Sequence, residues 1–439
     1  MKWSSYNHLY ESPRHGRLLF NFLSGAYVDL NDSRLYERVI SIKDNPSNAV
    51  HIDSELSASL IENGILCEDE SANKNLTDYA LLCHMFSPNE KNLVILPTLG
   101  CNLSCSYCYE GENVQNKKMS AEVVEELKKY ISRKYSNGPV AVHWYGGEPL
   151  LAFDIIEEIS LYMQSHNIDY HASIVSNAVL LSRSIIEKLE NLKITEIQIT
   201  LDGWGEAHDR KRKFRNGRGS FEVILKNLQS LQDFINITNK QIHVDIRINI
   251  DKDNAEEYHI IVGNIRKLFP SFRVYPALLR QYSSCKSTLN CFANQKEYAD
   301  FLIEQYEKYG LYALDIFPIP RKFVPCMATS PYTTVVGPDG ELYLCLKDVG
   351  DRKECVGNIF TGRNNTAMVA MYGSGYLTFR NPQCVDCKML SICGGGCPNV
   401  QYRKKMYGEE YDACVPLKYP EYTNRCLDIY YDYLQSVEI

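Results

Sequence analysis

Three cysteines stand close together, Cys101, Cys105 and Cys108 in the run TLGCNLSCSYCYEG, with the spacing C-x3-C-x2-C. A cubane iron–sulfur cluster takes four thiolates, so three from one loop leave one iron open to a ligand that is not protein. A second group occupies the C-terminal third. It runs Cys326, thirteen residues, Gly340, four residues, Cys345; then Cys384-x2-Cys387-x5-Cys393-x3-Cys397; then Cys414. The opening residues, MKWSSYNHLYESPRHGRLLF, lack the basic end, sustained apolar stretch and small-residue cleavage site of a secretion signal. Sixteen cysteines in such a chain point to metal ligation or redox chemistry rather than to disulfides. Zinc is the competing reading of both groups, as a three-cysteine site awaiting a fourth ligand and as a ribbon built on the CxxC-like pairs.

Three further motifs follow apolar runs. Gly146-Gly147-Glu148-Pro149 comes after VAVHWY, Ser176-Asn177 after ASIV, and Asp202-Gly203 after EIQITL. Paired glycines let a backbone approach a ligand closely, and a carboxylate beside them suits an ammonium group. The competing reading is local: GGEP strings form turns, and Ser or Asp caps strand-to-helix turns without any ligand.

The cysteine triad, with aromatic residues at Tyr107 and Tyr109, resembles the radical S-adenosylmethionine (radical SAM) superfamily. The resemblance implies that the open iron chelates the amino and carboxylate groups of SAM and that an electron from the cluster splits the sulfonium, giving a 5'-deoxyadenosyl radical. It implies SAM contacts from Tyr107, from Gly146, Gly147 and Glu148 at the methionyl amine, from Ser176 and Asn177 near the ribose, and from Asp202. The seven C-terminal cysteines resemble the SPASM domain of enzymes that mature peptides and proteins. That implies two auxiliary clusters, one on Cys326, Cys345 and Cys397, the other on Cys384, Cys387, Cys393 and Cys414, and so three [4Fe-4S] clusters in all. Two fully ligated auxiliary clusters need eight thiolates where the motif supplies seven. Cys355 is the nearest candidate for the eighth, and an open iron able to bind a substrate atom is the alternative. Cys67, Cys83, Cys285, Cys291 and Cys426 read as ordinary thiols.

These motifs need elements to hold them. Between 92 and 310, six β-rich runs alternate with amphipathic helical segments, which predicts parallel βαβ units with functional residues at the carboxyl ends of the strands. The expected fold class is α/β, a partial (β/α)6 barrel. Residues 1–85 predict a hairpin, Leu18–Phe22 and Ala26–Leu30 about the turn Ser24-Gly25, then two or three helices. This resembles the winged-helix peptide-recognition module that precedes many enzymes modifying ribosomal peptides; a solubilising extension is the bland alternative. Residues 320–439 form the expected SPASM domain, where helical signal fades. The basic run Arg210–Gly219 reads either as a solvated loop or as a site for an acidic leader or the SAM carboxylate, and the surrounding HDRKRKFRNGRGSF resembles a recurring family segment.

Composition narrows the classes. With 439 residues, 45% of them hydrophobic, the chain has material for about three domains rather than a disordered tail. Lys plus Arg total 47 against 54 for Asp plus Glu, a net charge of -7, which argues against a chain built to grip nucleic acid. No run reaches the roughly 20 apolar residues of a spanning helix, so a cytoplasmic protein without membrane or nucleic-acid partners is expected. The expected partners are a precursor peptide with a leader and an external reductant such as flavodoxin or ferredoxin. The expected activity is oxidative: hydrogen abstraction from a ribosomal peptide and installation of a side-chain crosslink, with streptide-type Lys–Trp carbon–carbon coupling as one case. The rivals are an anaerobic sulfatase-maturing enzyme forming formylglycine and a non-enzymatic iron–sulfur electron carrier. Against the former, Leu346 follows Cys345 where such enzymes carry Asp, and Asp348 lies two positions further on.

Overall fold

The structure, a computed structural model, describes residues 1–87, 91–108, 117–279, 290–319, 326–375, 381–410 and 414–437. Tyr109 and Cys285 lie outside the described residues. The chain divides into two compact units, one of Met1–Phe86, Asn294–Cys326 and Ser374–Ile439, the other of Ser87–Ala293 and Met327–Gly373.

The first unit opens on an antiparallel sheet of β1 (Asn7–Ser12), β2 (Gly16–Asn21) and β3 (Tyr27–Asp29). The expected hairpin is β2–β3; β1 precedes it, and its mixed residues gave no clean alternation. Helices α1 (Ser33–Asp44), α2 (Ser54–Glu62) and α3 (Glu70–Met85) follow. Asp32 and Asp53 cap the first two, accepting from Leu35 N at 2.8 Å and Leu56 N at 3.0 Å, which satisfies amide groups the helix leaves open. Leu19, Leu30, Val39, Ile42, Leu60 and Ile65 close the core of this part.

The second unit is built on parallel strands. β4 (Lys91–Ile95), β5 (Val140–Trp144), β6 (Tyr170–Ser176), β7 (Ile194–Leu201), β8 (His243–Ile250) and β9 (Arg273–Leu278) pair in sequence order, each parallel to the next. Leu93, Val94 and Ile95 are all fully buried, the near-continuous apolar run expected of a strand covered on both faces. Helices α4 (Ala121–Tyr135), α5 (Phe153–Ser165), α6 (Phe221–Thr238) and α7 (Tyr258–Leu268) connect successive strands. In α4 the buried positions Val123, Val124, Leu127, Ile131 and Tyr135 make one stripe at helical spacing.

In the first unit, α8 (Gln295–Tyr309) packs on the C-terminal helix described below. In the second, β10 (Thr333–Val336) adds in parallel beside β4, and β11 (Glu341–Tyr343) then turns antiparallel. With two short strands beyond β11, the sheet has ten strands among the described residues. The expected fading of helix toward the C-terminus does not hold. α9 (Pro398–Tyr407) and α10 (Pro420–Val437) are both helical, and α10 buries Tyr422, Thr423, Cys426, Leu427 and Ile429. Its inner face is rich in Tyr, Thr and Cys instead of the usual aliphatic residues, which masks its periodicity in the sequence.

Candidate active site

The first cysteine loop leaves β4 and is tied down mainly by backbone. Thr98 Oγ1 donates to Lys117 O at 2.8 Å and accepts from Gly100 N at 2.9 Å, which sets the turn just before Cys101. The exit of β5 lies against it: Gly147 N donates to Thr98 O at 3.2 Å and Glu148 N to Gly100 O at 2.9 Å. Gly146 sits at φ 132°, and a Cβ there would fall 2.2 Å from Thr98 O; at Gly147 a Cβ would fall 2.4 Å from Gly100 O. The glycine pair therefore makes a backbone-to-backbone approach to the cysteine loop itself. On the other side Ser104 N donates to Lys213 O at 2.8 Å and Ser106 N to Lys211 O at 3.1 Å.

The Glu148 carboxylate is completely buried. Oε1 accepts from Leu150 N at 3.1 Å and Ser176 Oγ at 2.7 Å, and Oε2 accepts from Asn177 N at 2.7 Å. Burial pushes its pKa up, and the donors from Asn177, Ser176 and Leu150 oppose this. The side chain thus joins the exits of β5 and β6. Asn177 Nδ2 continues inward, donating to Asn102 Oδ1 at 2.7 Å and lying 3.8 Å from Cys101 Sγ. Cys101, Gly146, Gly147, Glu148, Ser176 and Asn177 are thereby brought into one connected set.

Tyr107 and Asp202 belong to a second set. The Tyr107 hydroxyl donates to Asp202 Oδ2 and accepts from Arg212 NH1 at 2.6 Å and Asn249 Nδ2 at 3.1 Å. Asp202 is fully buried, with its pKa raised by burial against the pull of Arg212. Arg212 also lies close enough to Cys105 to hold that thiol's pKa below where burial alone would put it. Neither Arg212 nor Asn249 was singled out from the sequence, because a basic run reads as a solvated face. The run divides: Arg212 points inward, Lys211 pairs with Asp251 at 2.5 Å, and Lys213 and Arg215–Arg218 are exposed apart from the half-buried Phe214. His208, Arg212 and Ser220 are all buried along this polar stretch, which nothing in its sequence marks.

The donor set fits the expected cofactors. Three thiols share one loop, and four buried polar atoms around it, Asn102 Nδ2, Asp202 Oδ1, Arg212 Nε and Asp251 Oδ2, find no hydrogen-bond partner among the described residues. Buried polar groups are ordinarily satisfied, so their presence suits a polar ligand. Cys101, Cys105 and Cys108 would hold a cluster, and the strand ends would hold SAM.

The remaining cysteines fall in both units. In the first, Cys387, Cys393 and Cys414 all lie near Cys384, whose pKa is pushed up to about 11 by burial and then by these three thiols. With Cys384 they make four, the number a cubane takes; among the described residues no three thiol, imidazole or carboxylate groups converge closely enough to hold a single metal ion. Cys326 and Cys397 belong to this unit as well. Cys345 and Cys355 belong to the second unit. There Cys355 donates to Gly357 O at 3.0 Å and packs, with Leu346, on an apolar cluster of Val94, Leu96, Leu99, Val335, Tyr343 and Val349. Among the described residues no helix is long and apolar enough to cross a membrane.

Comparison with known proteins agrees with this geometry. The family model described as "Radical SAM superfamily" matches residues 95–261. A cysteine-type anaerobic sulfatase-maturating enzyme of Clostridium perfringens is 22% identical over 370 residues, covering 75% of this chain and 92% of that protein. The solved structure of native anSMEcpe with bound AdoMet and Cp18Cys peptide aligns with a TM-score of 0.58 at 21% identity, over 80% of this chain and 99% of that one. Streptococcus suis SuiB bound to the precursor peptide SuiA aligns with a TM-score of 0.51 at 16% identity, over 92% and 97%. At these identities the two structures speak for the fold. A three-cysteine loop at the carboxyl end of the first of six parallel strands, enclosed by the exits of the next strands and covered by the family match, makes this chain one that carries a radical SAM domain.

Proposed function

We propose that the chain is a radical SAM maturase that oxidises a side chain of a ribosomally made peptide. The observation that carries this reading is the presence of two cysteine groups: a three-thiol loop, which leaves the fourth position of a cubane to a non-protein ligand, and a separate group of four cysteines, which would hold a cluster able to accept electrons. When bound, reduced cluster and SAM together supply a carbon radical strong enough to take a hydrogen atom from an unactivated C–H bond. Selectivity then falls to the protein, which must hold the target carbon in place and exclude other hydrogen donors. Forming a new bond after hydrogen loss leaves one electron and one proton to remove. A four-thiolate cluster on Cys384, Cys387, Cys393 and Cys414 suits that task. Cys355 is the proposed eighth thiolate; its thiol donates to the buried Gly357 O and would give up that proton on binding iron.

The proposed SAM contacts are those the family resemblance implies: Gly146 and Gly147 with the Glu148 segment at the amine, Ser176 and Asn177 near the ribose, Tyr107 and Asp202 beyond. Because the Glu148 carboxylate is already engaged by three donors, its part is to position the strand exits. SuiB, which shares the fold over nearly the whole chain, was solved with a precursor peptide, and this supports a precursor peptide as the substrate here; we assign its binding to residues 1–85, the barrel to 92–310 and the SPASM segment to 320–439, with a side-chain crosslink as the proposed product. Similarity to the sulfatase-maturating enzyme over 75% of the chain supports a second reading, formylglycine formation. Leu346 after Cys345 counts against it; Asp348, which accepts from the Tyr372 hydroxyl at 3.3 Å, is buried nearby.

Anaerobic incubation with a low-potential reductant, SAM and peptides encoded beside the gene tests the proposal. Release of 5'-deoxyadenosine is expected, and mass spectrometry separates the readings: loss of a hydrogen pair with two side chains joined in the fragment spectrum marks a crosslink, whereas an aldehyde trapped by a hydrazine at a former cysteine or serine marks formylglycine. Absence of 5'-deoxyadenosine above background would remove both.

A further inference from the structure

The four-cysteine group is surrounded by residues that a reading of separate N-terminal and C-terminal modules does not connect. All of the following lie in the first unit. Lys388, next to Cys387, places its ammonium 3.2 Å from His8 Nδ1 on β1. His8 Nε2 in turn lies 2.8 Å from Asn424 Oδ1 on α10. An ammonium has only protons to give, so Nδ1 must accept; Nε2 then carries the ring proton and donates to Asn424. The chain Lys388, His8, Asn424 is thus directed, with a neutral imidazole between a cation and an amide. Lys388 Nζ also stands over the Phe22 ring at 5.4 Å from its centroid, and Ser391 Oγ donates to Phe22 O at 2.6 Å. Cys387 lies close enough to Tyr6 to add to the upward push that burial gives its phenol. Tyr6, His8 and Phe22 all come from the N-terminal sheet or its flanks, and all three meet the segment Cys387–Ser391.

The sheet is anchored where it must be for this. Tyr10 donates to Asp428 Oδ1 at 3.1 Å, Tyr27 donates to Leu427 O at 3.2 Å, and Arg14 pairs with Asp432 at 2.8 Å. These contacts fix β1–β3 on α10, so His8 is presented from a rigid surface.

We propose that the N-terminal sheet forms part of the protein shell of the four-cysteine cluster, with Lys388, oriented by His8, as the positioning residue that places a positive charge beside Cys387. The proposal rests on the reading of Cys384, Cys387, Cys393 and Cys414 as cluster ligands. A cluster on four thiolates is a net anion whose reduced form is more negative still, so a fixed neighbouring cation favours reduction and raises the potential. The fold thereby links the segment proposed to recognise a precursor with the group proposed to receive electrons.

The test uses the full chain with Cys101, Cys105 and Cys108 replaced by Ala, reconstituted anaerobically, so that the first cluster contributes no signal. Midpoint potentials are read from reductive titration followed by electron paramagnetic resonance, alongside iron content. Lys388→Met is expected to shift the potential of the signal that Cys384→Ala abolishes to a more negative value. His8→Leu, which frees the ammonium to swing away, is expected to give a smaller shift of the same sign, and Lys388→Arg to keep the parent potential. If Lys388→Met bound no iron, the His8→Leu shift would decide. An unchanged potential in both variants, with iron retained, would overturn the proposal and leave the cluster reading intact. No iron signal sensitive to Cys384→Ala in the parent would overturn both.

Discussion

The two cysteine sites are built by opposite means. Around Cys101, Cys105 and Cys108 the loop is gripped by main chain, from Thr98–Gly100 and Gly146–Glu148 at the ends of parallel strands and from Lys211–Lys213 at the end of a short helix. Around Cys384, Cys387, Cys393 and Cys414 the surroundings are short helices and side chains, Lys388 and Lys418 from beside the cysteines and His8 from distant sequence, with Lys418 Nζ 3.2 Å from Cys414 Sγ. Backbone grips tolerate little change at the residues that make them and are indifferent to many others. Side-chain shells can be altered one charge at a time. The first site is therefore expected to fail as a whole, and the second to be tunable.

The largest expected effect is replacement of Cys101, Cys105 or Cys108 by Ala, which should abolish SAM cleavage in a 5'-deoxyadenosine assay. Replacement of Cys384 or Cys414 should instead preserve cleavage and lower iron by about four atoms from a full complement of about twelve. A reconstituted wild-type content near four would break the comparison outright. Next comes Gly147→Ala. Its Cβ cannot be placed 2.4 Å from Gly100 O, so the cysteine loop must move. More than tenfold loss of SAM cleavage is expected, with iron content of the C-terminal sites unchanged; unaltered turnover would show that the backbone approach is dispensable.

A pH effect separates the units more gently. His208 is buried, with its pKa depressed to about 3 by burial and then by Arg212. Its Nδ1 accepts from Asp202 N at 3.4 Å and its Nε2 faces Ser220 Oγ at 3.1 Å, an arrangement for the neutral ring. Below about 6.5 the unfolded chain takes up a proton that the folded one refuses. Stability is therefore full above that pH and falls on acidification toward pH 3, by at most about 1.4 kcal/mol per pH unit. Denaturant midpoints measured between pH 7 and pH 5 should fall in the wild type and flatten in His208→Gln. The smallest effect is expected from Tyr10→Phe. It leaves Asp428 without one donor and should cost about 1 kcal/mol, read as a lower denaturation midpoint with SAM cleavage retained.

Much of the barrel was legible because its chemistry is local. Each of the six strands is a short run rich in β-branched and apolar residues, and each motif sits within a few residues of a strand end, so chain order and site order coincide. The GGEP segment was legible as a close approach, but what it approaches was not: the glycines face the backbone of Thr98–Gly100, a pairing that exists only once β4 and β5 are neighbours. Arg212 was hidden for a related reason. A basic run has no periodicity to mark which of its members turns inward, and only pairing with the cysteine loop decides it. In α10 the buried face is built from Tyr, Thr and Cys, which carry too weak an apolar signal to announce a helix.

By itself, then, the sequence determined the ligand chemistry: thiol spacing set how many donors each segment can offer, and alternating apolar runs set a parallel α/β core. The tertiary structure decided which segments share a unit. Residues 333–336 pair with β4 on one side as well as with β11 on the other, and the N-terminal sheet settles on α10, more than 400 positions away in sequence. Such contacts depend on the shapes of two already folded surfaces and on single hydrogen-bond partners such as Tyr10 and Asp428. Neither surface is written in the local spacing of either segment.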